Sequence, residues 1–403
     1  MYDFIIIGAG ASGLISAIIL ARRGKRVLLL EKNSKIGKKL LATGNGRCNI
    51  TNQRPTSNKF HSQNPKFIPQ ILDEYNYQSI RIFFKSIGLE LIEAKEGKVF
   101  PMSLQALSVV ELLEYSCIEL GVNILCDARV NKIINKKDFY IVTYNNTIIV
   151  DTKNIVVATG NISAPQLGGV DDGLNFAKNL GHNIIKPSPA LVQLTSNMKN
   201  LKKIAGVKVD SRVSLKLKDK TIEKDGDVLF TNYGISGLAI LDISRTVIEE
   251  LNYNKNVTLT IDLMPKMSSK QLLSLLKKSI RKKGKKPLDI WLKGFINKKL
   301  IAYILEPLKF DNLVEKDITT QDLEKIVEGI KSFKFMVNGD RGYKGAEVAT
   351  GGVDTKEINP KTMESKKHKG LYFIGEVLDV DGDRGGFNLH FAWVCGMRVA
   401  KFR

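Results

Sequence analysis

The chain has 403 residues, 43% of them hydrophobic and 26% charged, which excludes a disordered or fibrous protein and predicts two or three globular domains. Sixty-two Lys and Arg stand against 41 Asp and Glu, a net charge of +21, so a polyanionic partner and a merely Lys-rich surface are both open at this point. No apolar run reaches the ~18 residues of a membrane-spanning helix. The N-terminus carries no signal-peptide pattern, and the four cysteines and four histidines show no metal-ligand spacing; a reduced cytoplasmic protein without a metal site is expected.

Tyr2 to Ile7 reads as a strand buried on both faces. It runs into Gly8-Ala9-Gly10-Ala11-Ser12-Gly13, after which Leu14 to Arg23 has helical apolar spacing and stops at Gly24. Arg26 to Leu30 is a second strand, ending in Glu31. Each part has a mechanical reason: Gly8 permits a tight turn, Gly10 lets the backbone approach a pyrophosphate, and Gly13 lets the helix pack on the strand. The helix start offers free N–H groups and a positive dipole end to phosphate. Glu31, eighteen residues after Gly13, is placed to accept from ribose hydroxyls.

A polar loop follows, with Lys32 and Lys39, and then Gly44-Asn45-Gly46-Arg47-Cys48-Asn49. Its glycines and its Asn and Arg donors suit close packing on a flavin and a pyrophosphate, which favours FAD over NAD. Cys48 is either a proton donor or a small packed residue. Tyr77 to Gly88 predicts a helix, Glu96 to Pro101 a turn, and Ser103 to Leu120 a helix with Ser103 as N-cap. Gly121 to Leu125 and Ala128 to Ile134 predict strands, with Val130 a candidate cofactor contact, and Phe139 to Val150 a hairpin about Asn145-Asn146. Asn154 to Gly160 is another buried strand. Its tip, Ala158-Thr159-Gly160, either passes the cofactor or is an ordinary strand-to-loop turn.

Near Pro187 the pattern changes. Residues 190–267 with 332–339 read as an inserted β domain and 268–331 as a helical subdomain, while 1–189 with 340–403 read as one discontinuous α/β domain of Rossmann type. In its last part, Leu371 to Glu376 is a strand with Gly375-Glu376 at the tip. Asp379 and the loop ending in Gly385-Gly386-Phe387-Asn388 then lead into a helix from Leu389 to Ala400. A helix N-terminus there would stabilise negative charge on a reduced flavin, so that both chain ends build one site.

Five segments are the most specific: GNGRCN (Gly44 to Asn49), KVFP (Lys98 to Pro101), LFTNYGISG (Leu229 to Gly237), ATGGV (Ala349 to Val353), and GEVLDVDG (Gly375 to Gly382) with GGFN after it. With them the sequence resembles the BaiN/RdsA family of FAD-dependent oxidoreductases over essentially its whole length. The resemblance implies a split FAD domain, an inserted β-barrel and a helical subdomain. It also implies a reductase that places a hydride from flavin N5 on one alkene carbon and a proton on the next. The substrate would be a uridine of 23S ribosomal RNA, giving dihydrouridine with hydride at C6 and the proton at C5, or a C=C bond of a steroid-type bile acid. NAD(P)H would be a transient reductant, since only one dinucleotide fingerprint is present. The candidate proton donors are Cys48, His390 and Asp383. Departures from the family pattern are Asn232 for His, Leu238 for Pro, Asn161 for Gly and His390 for Gln, all of which bear on substrate handling.

Leu276 to Leu300 separates these substrates. Lys277, Lys278, Arg281, Lys282, Lys283, Lys285 and Lys286 lead a stretch in which Asp289 is the one acid. Such a surface holds backbone phosphates, and Trp291 and Phe295 either stack on unpaired bases or belong to a helical core. A small steroid gives no reason for this charge, so RNA is favoured, with a base turned out of its stack. A flavin-bearing RNA-binding protein without base chemistry is the third reading.

Overall fold

The computed structural model describes residues 1–310 and 312–400. Two compact units emerge: Met1–Pro189 with Ala346–Arg403, and Ala190–Gly345. The second holds both the strands and the helices of the insertion, and the first resumes at Ala346.

The core of the first unit is a parallel sheet in the order Asn123–Leu125, Val27–Leu30, Tyr2–Ile7, Ile148–Val157, Leu371–Phe373. The runs FIII, VLLL and LYF are buried without alternation because both faces of the sheet are covered. The strand Ile148–Val157 forks. Its first residues pair antiparallel with Phe139–Tyr144, which pairs with Val130–Lys136, and Asn145 and Asn146 close the first hairpin at positive φ. The helix Ala11–Arg22 lies against Phe387–Val399 so closely that a Cβ on Gly396 would sit 2.2 Å from Ile15 Cγ2 and 2.6 Å from Ser12 O. N- and C-terminal segments are thereby fused into one body. Arg398, in that last helix, is fully buried and donates to the carbonyls of Gln70 and Ile71 at 2.8 Å.

Among the element boundaries that differ from expectation, two have a visible backbone cause. The helix expected from Ser103 begins at Ala106, because Leu104 has φ 54 and cannot join it; Ser103 Oγ instead accepts from Gln105 N outside the helix. The last helix begins at Phe387 rather than Leu389, directly after Gly386 at φ 97.

In the second unit seven antiparallel strands follow the order Phe333–Val337, Val257–Asp262, Lys208–Lys216, Thr221–Phe230, Gly234–Ser236, Leu194–Thr195, Gly339–Asp340. The ladder has two ends, so hydrogen bonding does not close it into a barrel. Its end strands are separated along the chain by Asn338 alone. The helix Leu238–Leu251 approaches the sheet at Gly226, whose absent Cβ would lie 3.0 Å from Ala239 N. Helices Ser269–Ser279, Leu288–Leu292, Lys298–Leu305 and Thr320–Lys331 complete the unit. No helix among the described residues is long and apolar enough to cross a membrane.

Candidate active site

The turn from Gly8 to Gly13 is shaped by backbone crowding on two sides and open space on the third. A Cβ on Gly8, at φ 105, would lie 2.5 Å from Ala158 O, and one on Gly13 would lie 2.0 Å from Gly8 O. Gly10 meets nothing within 4 Å. The first two glycines are therefore required by the fold, and the third leaves room at a helix N-terminus, where a diphosphate fits. Glu31 is buried, and its carboxylate is already oriented: Oε2 accepts from Ala9 N at 2.9 Å, and Oε1 from Asn33 N at 2.9 Å and Asn33 Nδ2 at 2.6 Å. A carboxylate has further lone pairs for ribose hydroxyls, so the donor set matches the adenosine end of FAD. Behind Glu31 the chain 127–130 is tied in, since Ala128 N donates to Glu31 O, and Val130 is buried beside it. Lys32 is half-buried.

A second wall comes from both chain ends. Gly375, at φ 73, would place a Cβ 2.7 Å from Ser12 Oγ. Next to it, Glu376 receives Lys39 Nζ at 2.6 Å and Ser163 Oγ at 2.6 Å, and Lys39 also reaches Ser163 at 2.7 Å. Gly160 faces this carboxylate, while Thr159 packs against Gly173. Asn161, where the family pattern has glycine, uses its amide to bridge the carbonyls of Gly351 and Glu376, both at 3.2 Å. Ser163 and the bridging role of Asn161 carried no signal in the sequence, because their partners lie far along the chain; Asn33 lies two residues from Glu31 and was passed over as one polar residue of a polar loop.

The loop Gly44 to Cys48 is held in left-handed conformations at Gly44, Asn45, Gly46 and Cys48, with φ between 55 and 80, and it presents Arg47 to solvent. Across from it, Gly386 would bring a Cβ 2.4 Å from Thr51 O, so the segment after this loop rests directly on the start of the last helix. Asn52 Nδ2 donates to Gly385 O at 3.1 Å, Phe387 packs on Phe60, and Asn388 clasps Gly382 through Oδ1 and Nδ2 at 2.7 and 2.8 Å. Asp379 accepts from Gln63 N at 2.8 Å and Ser62 Oγ at 3.2 Å, fixing the neighbouring 61–63 segment.

The three candidate proton donors differ sharply. Cys48 is buried and its thiol is pushed up to about 11 by desolvation, with the Thr43 bond opposing. It is an uncharged packed side chain at neutral pH. His390 is sealed from solvent, its Nδ1 lies 2.8 Å from Thr51 Oγ1, and burial pulls it down to about 4 against the Tyr75 carbonyl. A neutral imidazole at that depth is a poor proton source. Asp383 is half-buried, with His61 Nε2 at 2.8 Å from its Oδ1 and Lys59 Nζ at 3.6 Å from its Oδ2.

In the second unit, Lys277, Lys278, Arg281, Lys282, Lys283 and Lys285 are exposed and Lys286 is half-buried, spanning a helix end and the turn after it. Arg281 is 3.6 Å from the buried Glu315, over which Gly284 passes so closely that a Cβ would meet Glu315 Oε2 at 2.0 Å. Trp291 is buried and packs on Phe295 at 5.1 Å, so its ring belongs to the core and not to a stacking platform.

Comparison with known proteins agrees with this geometry. The family model for the HI0933-like protein Rossmann domain matches residues 2–402. The chain belongs to this family of Rossmann-type flavoprotein oxidoreductases. A 3-dehydro-bile acid delta(4,6)-reductase of Clostridium scindens is 34% identical over 401 residues, covering 98% of this chain and 97% of that protein. A ribosomal RNA dihydrouridine synthase of Haemophilus influenzae is 35% identical over 413 residues, covering 98% of each. Among solved structures, the 3-ketosteroid delta1-dehydrogenase from Sterolibacterium denitrificans superposes with a TM-score of 0.53 at 13% identity, over 99% of this chain and 98% of that one, and so shares the fold.

Proposed function

We propose that the protein reduces an electron-poor C=C bond with FAD, and that its substrate is a uridine of 23S ribosomal RNA, which becomes dihydrouridine. Relatives named for RNA and for bile-acid chemistry stand at 35% and 34% identity, so identity does not decide. The exposed basic turn at 277–286 carries the choice: its side chains are solvated cations with one ion pair among the described residues, the form a phosphate backbone binds. Bound FAD, reduced by a visiting NAD(P)H, would supply the hydride that C6 of the uracil receives, with the proton going to C5.

The residues of the chain do the holding. Gly8, Gly10 and Gly13 with Ala9, Ala11 and Ser12 cradle the diphosphate, and Glu31 accepts from the ribose. Gly44 to Cys48 and Gly375 with Gly385 to Asn388 would frame the ring, and the Lys39–Glu376 pair would fix the wall between them. Ribosomal RNA places the enzyme in the cytoplasm, where four unpaired cysteines are at home.

The test offers reduced holoprotein two acceptors, unmodified 23S ribosomal RNA and a 3-dehydro-bile acid with a Δ4,6 diene. Dihydrouridine appearing in the RNA by mass spectrometry, with flavin reoxidation, is expected. Turnover of the bile acid alone would reverse the choice in favour of the second reading, which the Clostridium scindens relative supports. NAD(P)H oxidation independent of both would leave only a flavin-bearing RNA binder.

A further inference from the structure

His61 stands apart from the other histidines. His182 engages Glu357 through Nδ1 and Ser365 through Nε2, His368 engages Asn135 and the Leu180 carbonyl, and His390 is entombed. His61 uses only Nε2, 2.8 Å from Asp383 Oδ1; its Nδ1 has no partner among the described residues, and its side chain is 37% exposed. A carboxylate behind one ring nitrogen fixes the imidazole's orientation and leaves the other ring nitrogen facing outward.

The pair is also rigidly placed. Phe60–His61 is a two-residue strand on Asp381–Gly382, with His61 opposite Asp381. Asp383 N donates to Lys59 O at 2.8 Å, and Asn388, in the first turn of the last helix, grips Gly382 at both backbone atoms. His61 is thus tied, through Asp381–Gly382 and Asn388, to the Gly385-Gly386 helix start that would frame the flavin. Charged groups around it include Asp383 and Lys59, Asp381 across the ladder, and Asp379, which holds the adjoining Ser62 and Gln63.

We propose that His61, oriented by Asp383, is the proton donor of the reduction; this rests on the reductase reading above. The alkene π bond is lost. One carbon takes the hydride from the reduced flavin, the adjacent carbon takes the proton from His61 Nδ1, and the neutral imidazole is recharged from water. Asp383, one of the candidate acids, is then a positioning residue.

The experiment follows anaerobic reoxidation of dithionite-reduced holoprotein by 23S ribosomal RNA and by the 3-dehydro-bile acid, as a function of pH. In wild type the rate falls as pH rises through the acid's titration. His61→Gln should slow reoxidation about 100-fold and erase that limb, while the flavin spectrum, FAD affinity and dithionite reduction stay unchanged. Asp383→Asn keeps a hydrogen-bond acceptor but removes the charge, so the rate should fall by less than in His61→Gln; this variant serves if His61→Gln loses FAD. A His61→Gln rate within threefold of wild type with the limb intact overturns the assignment, as does an Asp383→Asn rate equal to that of wild type. Wild type that reoxidises with neither acceptor fails the reductase reading instead, a distinct result.

Discussion

Under the proposed function, the glycine turn at 8–13 and the lysine turn at 277–286 are opposite solutions to holding an anion. In the first, a Cβ at either end would stand 2.0 to 2.5 Å from a carbonyl oxygen, so backbone sterics leave one residue type at each of those positions. In the second, solvated side chains are interchangeable and only their sum matters. Residues 190–345 carry 30 Lys and Arg against 18 Asp and Glu, a net +12, while the other 247 residues carry 32 against 23, a net +9. The first region should therefore respond to shape and pH, and the second to salt.

The sharpest break of that contrast lies within the glycine turn itself. Gly13→Ala should lower the apoprotein's melting temperature and abolish FAD retention, because its Cβ collides with Gly8 O. Gly10→Ala should leave the apoprotein's melting temperature unchanged, since its Cβ enters open space, yet weaken FAD about 100-fold or more by filling the pyrophosphate's place, a loss of ~3 kcal/mol. Fluorescence titration of FAD and calorimetry of the apoproteins separate the two. Equal damage to the apoprotein by both would mean that Gly10 serves the fold rather than the ligand.

That turn was legible in the sequence because its geometry is local: strand, glycines, helix and acid follow within thirty-one residues. The same holds for Gly385-Gly386 before the last helix. His61 was not legible. A two-residue strand has no period, and Asp383 lies 322 positions away. Trp291 shows the other limit, since helical spacing alone does not separate a core face from a stacking face, and here the ring is buried. The helix start at Ala106 escaped because Ser103 resembles a cap, while the positive φ at Leu104 is invisible in a leucine.

The interior of the first unit should also answer to acid. His390 has a folded pKa of about 4 against an ordinary value of 6.5, so between those values the unfolded chain binds the extra proton. Its contribution to stability is present above pH 6.5 and is lost as pH falls toward 4, by at most ~3 kcal/mol. Urea denaturation from pH 7 to 4 should show this slope, and His390→Gln should flatten it. An unchanged slope would place the acid sensitivity elsewhere.

Salt is the lever for the lysine turn. Neutralising Lys282, Lys283, Lys285 and Lys286 to Gln should reduce the slope of log affinity for single-stranded RNA against log salt by about 2 to 3. The melting temperature should not move, since three of these side chains are exposed and the fourth is half-buried. If the slope is unchanged, phosphates do not lie on this turn, and the balance between RNA and bile acid tips toward the small molecule.

Cys48 should show the smallest effect, and its smallness is informative. It sits in the loop proposed to frame the flavin, at a φ of 58 that costs a non-glycine residue energy, which invites a catalytic role. Burial argues the other way: a thiol held near 11 is neither a thiolate nor a ready acid at pH 7. Cys48→Ala should therefore keep reoxidation within about threefold of wild type, consistent with a group that contributes none of the ~100-fold typical of general acids. Iodoacetamide at pH 8 should leave Cys48 unmodified while the half-buried Cys126 is labelled slowly, and Cys48 labelling should rise only toward pH 11. Rapid alkylation of Cys48 at neutral pH would show that this loop opens, and that the left-handed residues at 44–48 store a movement rather than a fixed frame.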